Sequence, residues 1–183
     1  MTVSWAIYLL GKNVEAEGRL HEEVDCVLAA RIPAMEDIPS LTFTEKVIKE
    51  TLRLYPPAWS VARTAIHEFE LDGYQIPDGS NIVMSQWIMH RDSSFFPDPD
   101  KFDPDRWGTP ACQNLPRFAY FPFGGGPRQC VGASFALTEA LLVLATVVRR
   151  FRLVPVDQQP VAPVPSLTLR PKDPILMRIE ARC

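Results

Sequence analysis

The chain has 183 residues, 46% hydrophobic and 22% charged, with 19 Lys and Arg against 22 Asp and Glu for a net charge of −3. That balance belongs to a globular chain with a core of its own, and it excludes wholesale disorder and a polycation built for nucleic acid. No apolar run reaches the roughly 18 residues that a membrane helix needs, and the start lacks the basic, apolar, small-residue order of a signal peptide.

Residues 1 to 10, MTVSWAIYLL, are apolar on nearly every side, which predicts a buried helix. It starts at full strength without a capping residue, so the sequence is expected to be the C-terminal piece of something longer. The stretch Trp5 to Leu10 is then expected to lie exposed, without the helices it would pack against. Residues 13 to 30 carry Val14, Leu20, Val24, Val27 and Leu28 at helical spacing and predict an amphipathic helix. Ile32 to Ser40 reads as a Pro-containing loop. A third helix is predicted from Thr42 to Leu54, capped by Thr42 or Thr44 and ended by Pro56-Pro57.

Short strands are predicted at 61–66, 67–71 and 74–76, with Asp72-Gly73 and Asp78-Gly79 as turns. Residues 82–90 predict a strand running into a short helix. From Arg91 to Pro122 the chain is rich in Pro, Asp and aromatics, and a loop of that length in a compact domain is usually functional. Ser134 to Arg150 predicts a last helix whose Arg149-Arg150 end suits a helix C-terminus. The Pro-rich tail offers strands at 167–170 and 175–179. The 18 prolines fall mostly after Arg31, as expected for ordered loops between short elements. The four cysteines, Cys26, Cys112, Cys130 and Cys183, form no C-x-x-C pair, which argues against a zinc or disulfide module and for a reducing compartment such as the cytoplasm.

The chemistry concentrates in Phe123-Gly-Gly-Gly-Pro-Arg-Gln-Cys-Val-Gly132, which runs directly into the last helix. Cys130 sits just before a helix N-terminus, where the dipole favours a thiolate. Gly124, Gly125, Gly126 and Gly132 let the backbone bend and approach a flat partner. Arg128 offers a fork for a carboxylate. Taken alone, a Gly-rich turn with a Cys is ordinarily an inert structural feature. Here five positions fit F-x-x-G-x-R-x-C-x-G, and chance supplies that in a chain this long about once in 10⁴.

The segment resembles the haem-binding signature of the cytochrome P450 superfamily. Glu50-Thr-Leu-Arg53 is similar to the family's helical E-x-x-R, and Phe102-Asp-Pro-Asp-Arg-Trp107 to its loop-arginine motif. His90-Arg91-Asp92 also fits the family pattern; His90 reads as a hydrogen-bonded loop histidine rather than a metal ligand. Trp5, Tyr8, Trp87, Trp107 and Tyr120 read as packing.

The resemblance implies a mainly α fold with small β-sheets, with residues 1–183 as the C-terminal haem-binding part and the N-terminal half and most of the central helix absent. It implies haem b on the Cys130 thiolate, with Arg63, Phe123, Gly124, Arg128 and Gly132 against the cofactor. Glu50, Arg53 and Arg106 are implied as a buried structural triad. Ala58, Trp59, Ser60, Val61 and Leu167 are implied to line the pocket of an apolar small-molecule substrate. The implied activity is a haem-thiolate monooxygenase fed by a ferredoxin or flavoprotein reductase. The family's oxygen-handling residues would lie upstream of Met1, with Thr2 past that position. A peroxide-using or isomerising enzyme, and a piece without turnover, therefore stay open. A membrane anchor would also lie upstream. Arg117, Arg128, Arg149, Arg150 and Arg152 bracket the Cys turn and are expected to form a face for an acidic electron donor.

Overall fold

The structure is a computed structural model, and it describes residues 1–157 and 159–182. Cys183 lies outside the described residues. Four helices build one core. These are α1 (Thr2–Gly11), α2 (Val14–Leu28), α3 (Thr42–Leu54) and α6 (Ala133–Arg150). Each turns an apolar stripe inward at helical spacing: Leu20, Val24 and Leu28 from α2; Val47, Ile48 and Leu52 from α3; Leu141, Leu144 and Val148 from α6. The short helices α4 (Gln86–Met89) and α5 (Pro110–Gln113) lie in the connecting segments.

The strands form two-stranded antiparallel ladders. Strand β1 (Val61–Thr64) pairs with β4 (Asn81–Met84) in the register Val61 opposite Met84. Between them sits the hairpin of β2 (Phe69–Leu71) and β3 (Tyr74–Ile76), turned at Asp72-Gly73. The tail repeats this nesting. Strand β5 (Phe151–Pro155) pairs with β8 (Met177–Ala181) around the hairpin β6 (Pro163–Pro165) and β7 (Leu169–Pro171). The tail strands start two residues later than the sequence pattern places them, because pairing with β5 fixes the register of β8 from Met177 to Ala181.

Three expectations are corrected here. The apolar first helix is not left uncovered: Trp5 and Ala6 are fully buried, and the Trp5 ring stacks on Tyr55 at 3.9 Å between centroids. The tail folds back over it, so that the Tyr8 hydroxyl accepts a hydrogen bond from the Val161 amide at 3.1 Å. The start of α3 is not capped by its own threonines either. The Glu23 carboxylate, reaching across from α2, accepts from the Phe43 and Thr44 amides at 2.5 and 2.8 Å and from both threonine hydroxyls. A carboxylate has two oxygens for the orphan amides and complements the positive end of the helix, so it serves better than a hydroxyl and ties two helices together. The loop expected over 32–40 likewise carries a 3-10 turn from Met35 to Ser40.

The segment 91–122 holds little regular structure, yet it is fixed. Its anchor is Glu50, on the inner face of α3 and fully buried. The Glu50 carboxylate accepts from Arg53 Nε and Nη2, Arg106 Nε, Trp107 Nε1 and the Asp103 amide, all at 2.9 to 3.1 Å. The two guanidiniums then spread outward onto loop carbonyls. Arg53 donates to His90, Pro99 and Lys101, and Arg106 to Pro97, Asp98 and Lys101. A buried ion pair is costly to desolvate, and here both carboxylate oxygens, all five Arg53 N–H groups and four of the five on Arg106 are used.

Removing one partner leaves the other charges buried and unmatched. Arg53→Met is expected to cost about 3–5 kcal/mol of unfolding free energy. Arg53→Lys recovers little of it, because an ammonium cannot reproduce the fork. The exposed pair Arg19–Asp105 is the control, with a loss below about 1 kcal/mol for Arg19→Met. Denaturant melts of the three variants read the difference.

Candidate functional site

The loop 91–122 delivers the chain to the Gly-rich turn. Tyr120 packs against Trp107 at 4.5 Å and donates its hydroxyl to the Lys49 carbonyl at 3.1 Å. Burial pushes its phenol well above the ordinary range. The turn itself closes when the Cys130 amide donates to the Phe123 carbonyl at 3.0 Å. Gly124 and Gly126 both stand at φ 71°, in the left-handed region where a Cβ is strained. Cys130 is thereby presented at the surface as a free thiol, two residues before the Gly132 cap of α6.

The sulfur faces a cavity of about 440 Å³. Its walls come from α1, α3, the α3–β1 connection, β1, the turn and α6. Ile48, Leu52, Val61, Phe123 and Leu137 make it apolar, and Arg63, Arg128 and Cys130 break into that apolar lining. Arg63, in β1 opposite Ile82, donates to the neighbouring Ala62 carbonyl at 2.8 Å. Among the described residues neither Arg63 nor Arg128 meets a carboxylate. Two cations without anions beside a thiol suit a flat apolar group that carries acid arms and a thiophilic metal.

Structure gathers some of the site residues expected from sequence and separates others. Arg63, Phe123, Gly124, Arg128 and Cys130 share the cavity, as do Ala58 and Val61. Gly132 stands behind the sulfur: a Cβ there would lie 3.9 Å from Sγ. Trp59 and Ser60 do not line the cavity; the Trp59 indole donates to the Ser166 carbonyl at 2.8 Å, tying the β6–β7 hairpin to the α3–β1 connection. Leu167, at the tip of that hairpin, is 96% exposed. Thr2, expected past the reactive region, lies on the cavity wall. Trp107, assigned to packing alone, is also a donor to Glu50.

The expected basic face is narrower than its sequence count. Arg149 donates to the Ala30 carbonyl at 2.5 Å, and Arg152 pairs with the nearly buried Glu17 at 3.0 Å. Both are spent on holding α2 against α6 and β5. Arg117 lies over the Phe118 ring and, with Lys49, borders a hollow on the turn lined also by Phe123, Gly124 and Gln129.

The sequence model of the family described as Cytochrome P450 matches residues 1–178. Curated relatives agree. The chain is 44% identical over 167 residues to cyclooctatin synthase of Streptomyces melanosporofaciens, covering 91% of this chain and 36% of that protein. It is 39% identical over 181 residues to pentalenene oxygenase of Streptomyces avermitilis, covering 99% and 40%. It is 34% identical over 183 residues to human cytochrome P450 4V2, covering 98% and 35%. The chain therefore belongs to the cytochrome P450 family, and it spans a little over a third of the length of these relatives. Among the described residues no helix is long and apolar enough to cross a membrane.

His90 shows how firmly this region is set. It is fully buried, and burial beside Arg53 pushes its imidazole down to about 3. A base whose folded value lies below its unfolded one near 6.5 binds fewer protons when folded, so stability is full above about pH 6.5 and falls toward pH 3. Between pH 6 and 4 this residue should contribute a slope approaching about 1.4 kcal/mol per pH unit. His90→Gln removes that slope, which unfolding measurements across the pH range detect.

Proposed function

We propose that residues 1–183 form the thiolate-bearing part of a cytochrome P450 monooxygenase that inserts one oxygen atom of O2 into an apolar small molecule. The observation that carries this is the meeting of Cys130, Arg63 and Arg128 at one apolar cavity. Haem b would be held there through the Cys130 thiolate. When bound it supplies oxygen activation, which thiolate donation favours.

The chain's own residues have distinct tasks in that scheme. Cys130 is held by a turn whose amide bond to Phe123 and left-handed glycines fix where the sulfur points. Arg63 and Arg128 would neutralise the cofactor's acid arms through charge-assisted hydrogen bonds. Phe123 lines the cavity wall, and Gly124 and Gly132, without side chains, leave room for close approach on the sulfur side. Ile48, Leu52 and Leu137 keep water from the cavity. Ala58 and Val61 present an apolar wall to the substrate. Trp59, through its bond to Ser166, holds the hairpin that carries Leu167 beside residues 58–61, with Ser60 between.

The substrate class follows from that lining and from the relatives' names. Pentalenene, in the name of one of those relatives, is an unsaturated hydrocarbon, and an apolar wall of Ala58 and Val61 suits such a molecule. Electrons would come from a ferredoxin or a flavoprotein reductase. Arg117, beside the turn, supplies positive charge toward an acidic donor, while Lys49 is paired with Glu45 at 2.7 Å.

In the reduced carbon-monoxide complex the protein should show the long-wavelength Soret band of a thiolate ligand, and Cys130→His should lose it. Arg63→Ala and Arg128→Ala should each weaken haem affinity by roughly 10–100-fold while leaving the band position unchanged, since each removes a charged hydrogen bond and not the ligand. Titration of haem followed by absorption reads both. An unchanged spectrum in Cys130→His rules out the assignment.

A further inference from the structure

We infer that His90 is a positioning residue for the Cys130 turn: its imidazole fastens the chain at Phe121 and so couples the buried Glu50–Arg53 pair to the sulfur. The inference rests on the thiolate role proposed for Cys130. It starts from a side chain that takes no part in the cavity. His90 has no exposed surface, and its ring lies against Tyr120 and Phe121, with centroids 5.0 and 5.5 Å away. Its Nε2 accepts a hydrogen bond from the Phe121 amide at 3.0 Å. The ring must therefore be neutral, with its proton on Nδ1.

The backbone of His90 is held as firmly as its ring. Its carbonyl accepts from Arg53 Nη1 at 2.8 Å, and its amide donates to the Gln86 carbonyl at 2.9 Å. On one side of His90 is the charged knot on α3; on the other is Phe121. From Phe121 two further hydrogen bonds lead to the sulfur's residue. The Gly124 amide donates to the Phe121 carbonyl at 2.9 Å, and the Cys130 amide donates to the Phe123 carbonyl at 3.0 Å. Displacing Phe121 therefore shifts the carbonyl that starts the left-handed turn, and with it the frame that presents Cys130.

Packing by itself does not explain an imidazole here. Nδ1 is buried without a hydrogen-bond partner among the described residues, so one polar atom goes unmatched. A hydrocarbon ring of similar shape would remove that cost. What it would lose is the acceptor for Phe121, which would leave a part-buried backbone amide without its partner. The imidazole is retained for Nε2.

Two variants separate these roles. His90→Phe keeps the ring and removes the acceptor. His90→Gln returns an acceptor on a flexible stem. In the full chain, hydrogen exchange at the Phe121 amide should accelerate about tenfold or more in His90→Phe, and His90→Gln should restore most of the protection. In the haem-loaded protein, the ratio of the thiolate-type band to the shorter-wavelength band of the reduced carbon-monoxide complex should fall about tenfold in His90→Phe and recover in His90→Gln. Unchanged exchange at Phe121, or changed exchange with an unchanged band ratio, overturns the inference. If wild type binds no haem, the proposed function fails separately. The rate of Cys130 alkylation by iodoacetamide then decides the coupling: a change in His90→Phe that His90→Gln reverses supports it, and equal rates refute it.

Discussion

One buried carboxylate organises this chain. Glu50 has no solvent to spread its charge into, so its position is tolerable only where donors surround it. Five N–H groups do so, and they come from the helix itself, from two loop side chains and from one loop amide. The long irregular segment 91–122 has no ladder of its own to fix it. It takes its shape from the outward faces of Arg53 and Arg106, which collect the carbonyls of Pro97, Asp98, Pro99 and Lys101. The charge network is thus a means of folding a loop without secondary structure, and its energetic cost is met by five donors on the Glu50 carboxylate.

Around that network lies a layer of aromatic and cationic packing that carries order to both ends of the loop. Arg53 lies over the fully buried Phe96 at 5.3 Å. Arg91 stacks on Trp87 at 3.4 Å and donates to the Leu54 carbonyl at 2.6 Å, so the C-terminus of α3 is satisfied by the start of the loop. Trp107 and Tyr120 join the middle of the loop to its end. A chain held at so many points delivers the Gly-rich turn in one place, and the left-handed glycines then set the direction in which Cys130 is shown. Little in the cavity wall is itself polar, so the thiol and the two arginines stand out against it.

Much of the architecture was legible in the sequence, because local signals agreed with one another. The stripes of α2, α3 and α6 recur at helical spacing, and α3 runs from Thr42 to Leu54 as its pattern predicts. Asp72-Gly73 marks the hairpin turn where Gly73 takes φ 81°. The signature from Phe123 to Gly132 and the pairing of Glu50 with Arg53 at i, i+3 are sequence-local facts, and the family assignment followed from them. Arg106 was placed with them by resemblance, and the structure joins it to Glu50 at 2.9 Å.

What the tertiary structure decided involves residues far apart in the chain, whose partners no local pattern encodes. Glu23 caps a helix about twenty positions away, and a carboxylate on a helix surface looks the same in sequence whether it caps a neighbour or faces water. Trp107 gives no sign of its donor role, because an indole reads as hydrophobic until its N–H finds an acceptor. Arg149 and Arg152 count as surface charge until the Ala30 carbonyl, just past α2, and the Glu17 carboxylate on α2 occupy them. The opening helix looks uncovered until the tail returns over it. Sequence determined the elements, the turn and the chemical identity of the thiol and the arginines, since these depend on neighbours along the chain. Structure alone decided which buried polar groups meet, because hydrogen bonding across the fold depends on where distant backbone and side-chain atoms come to rest.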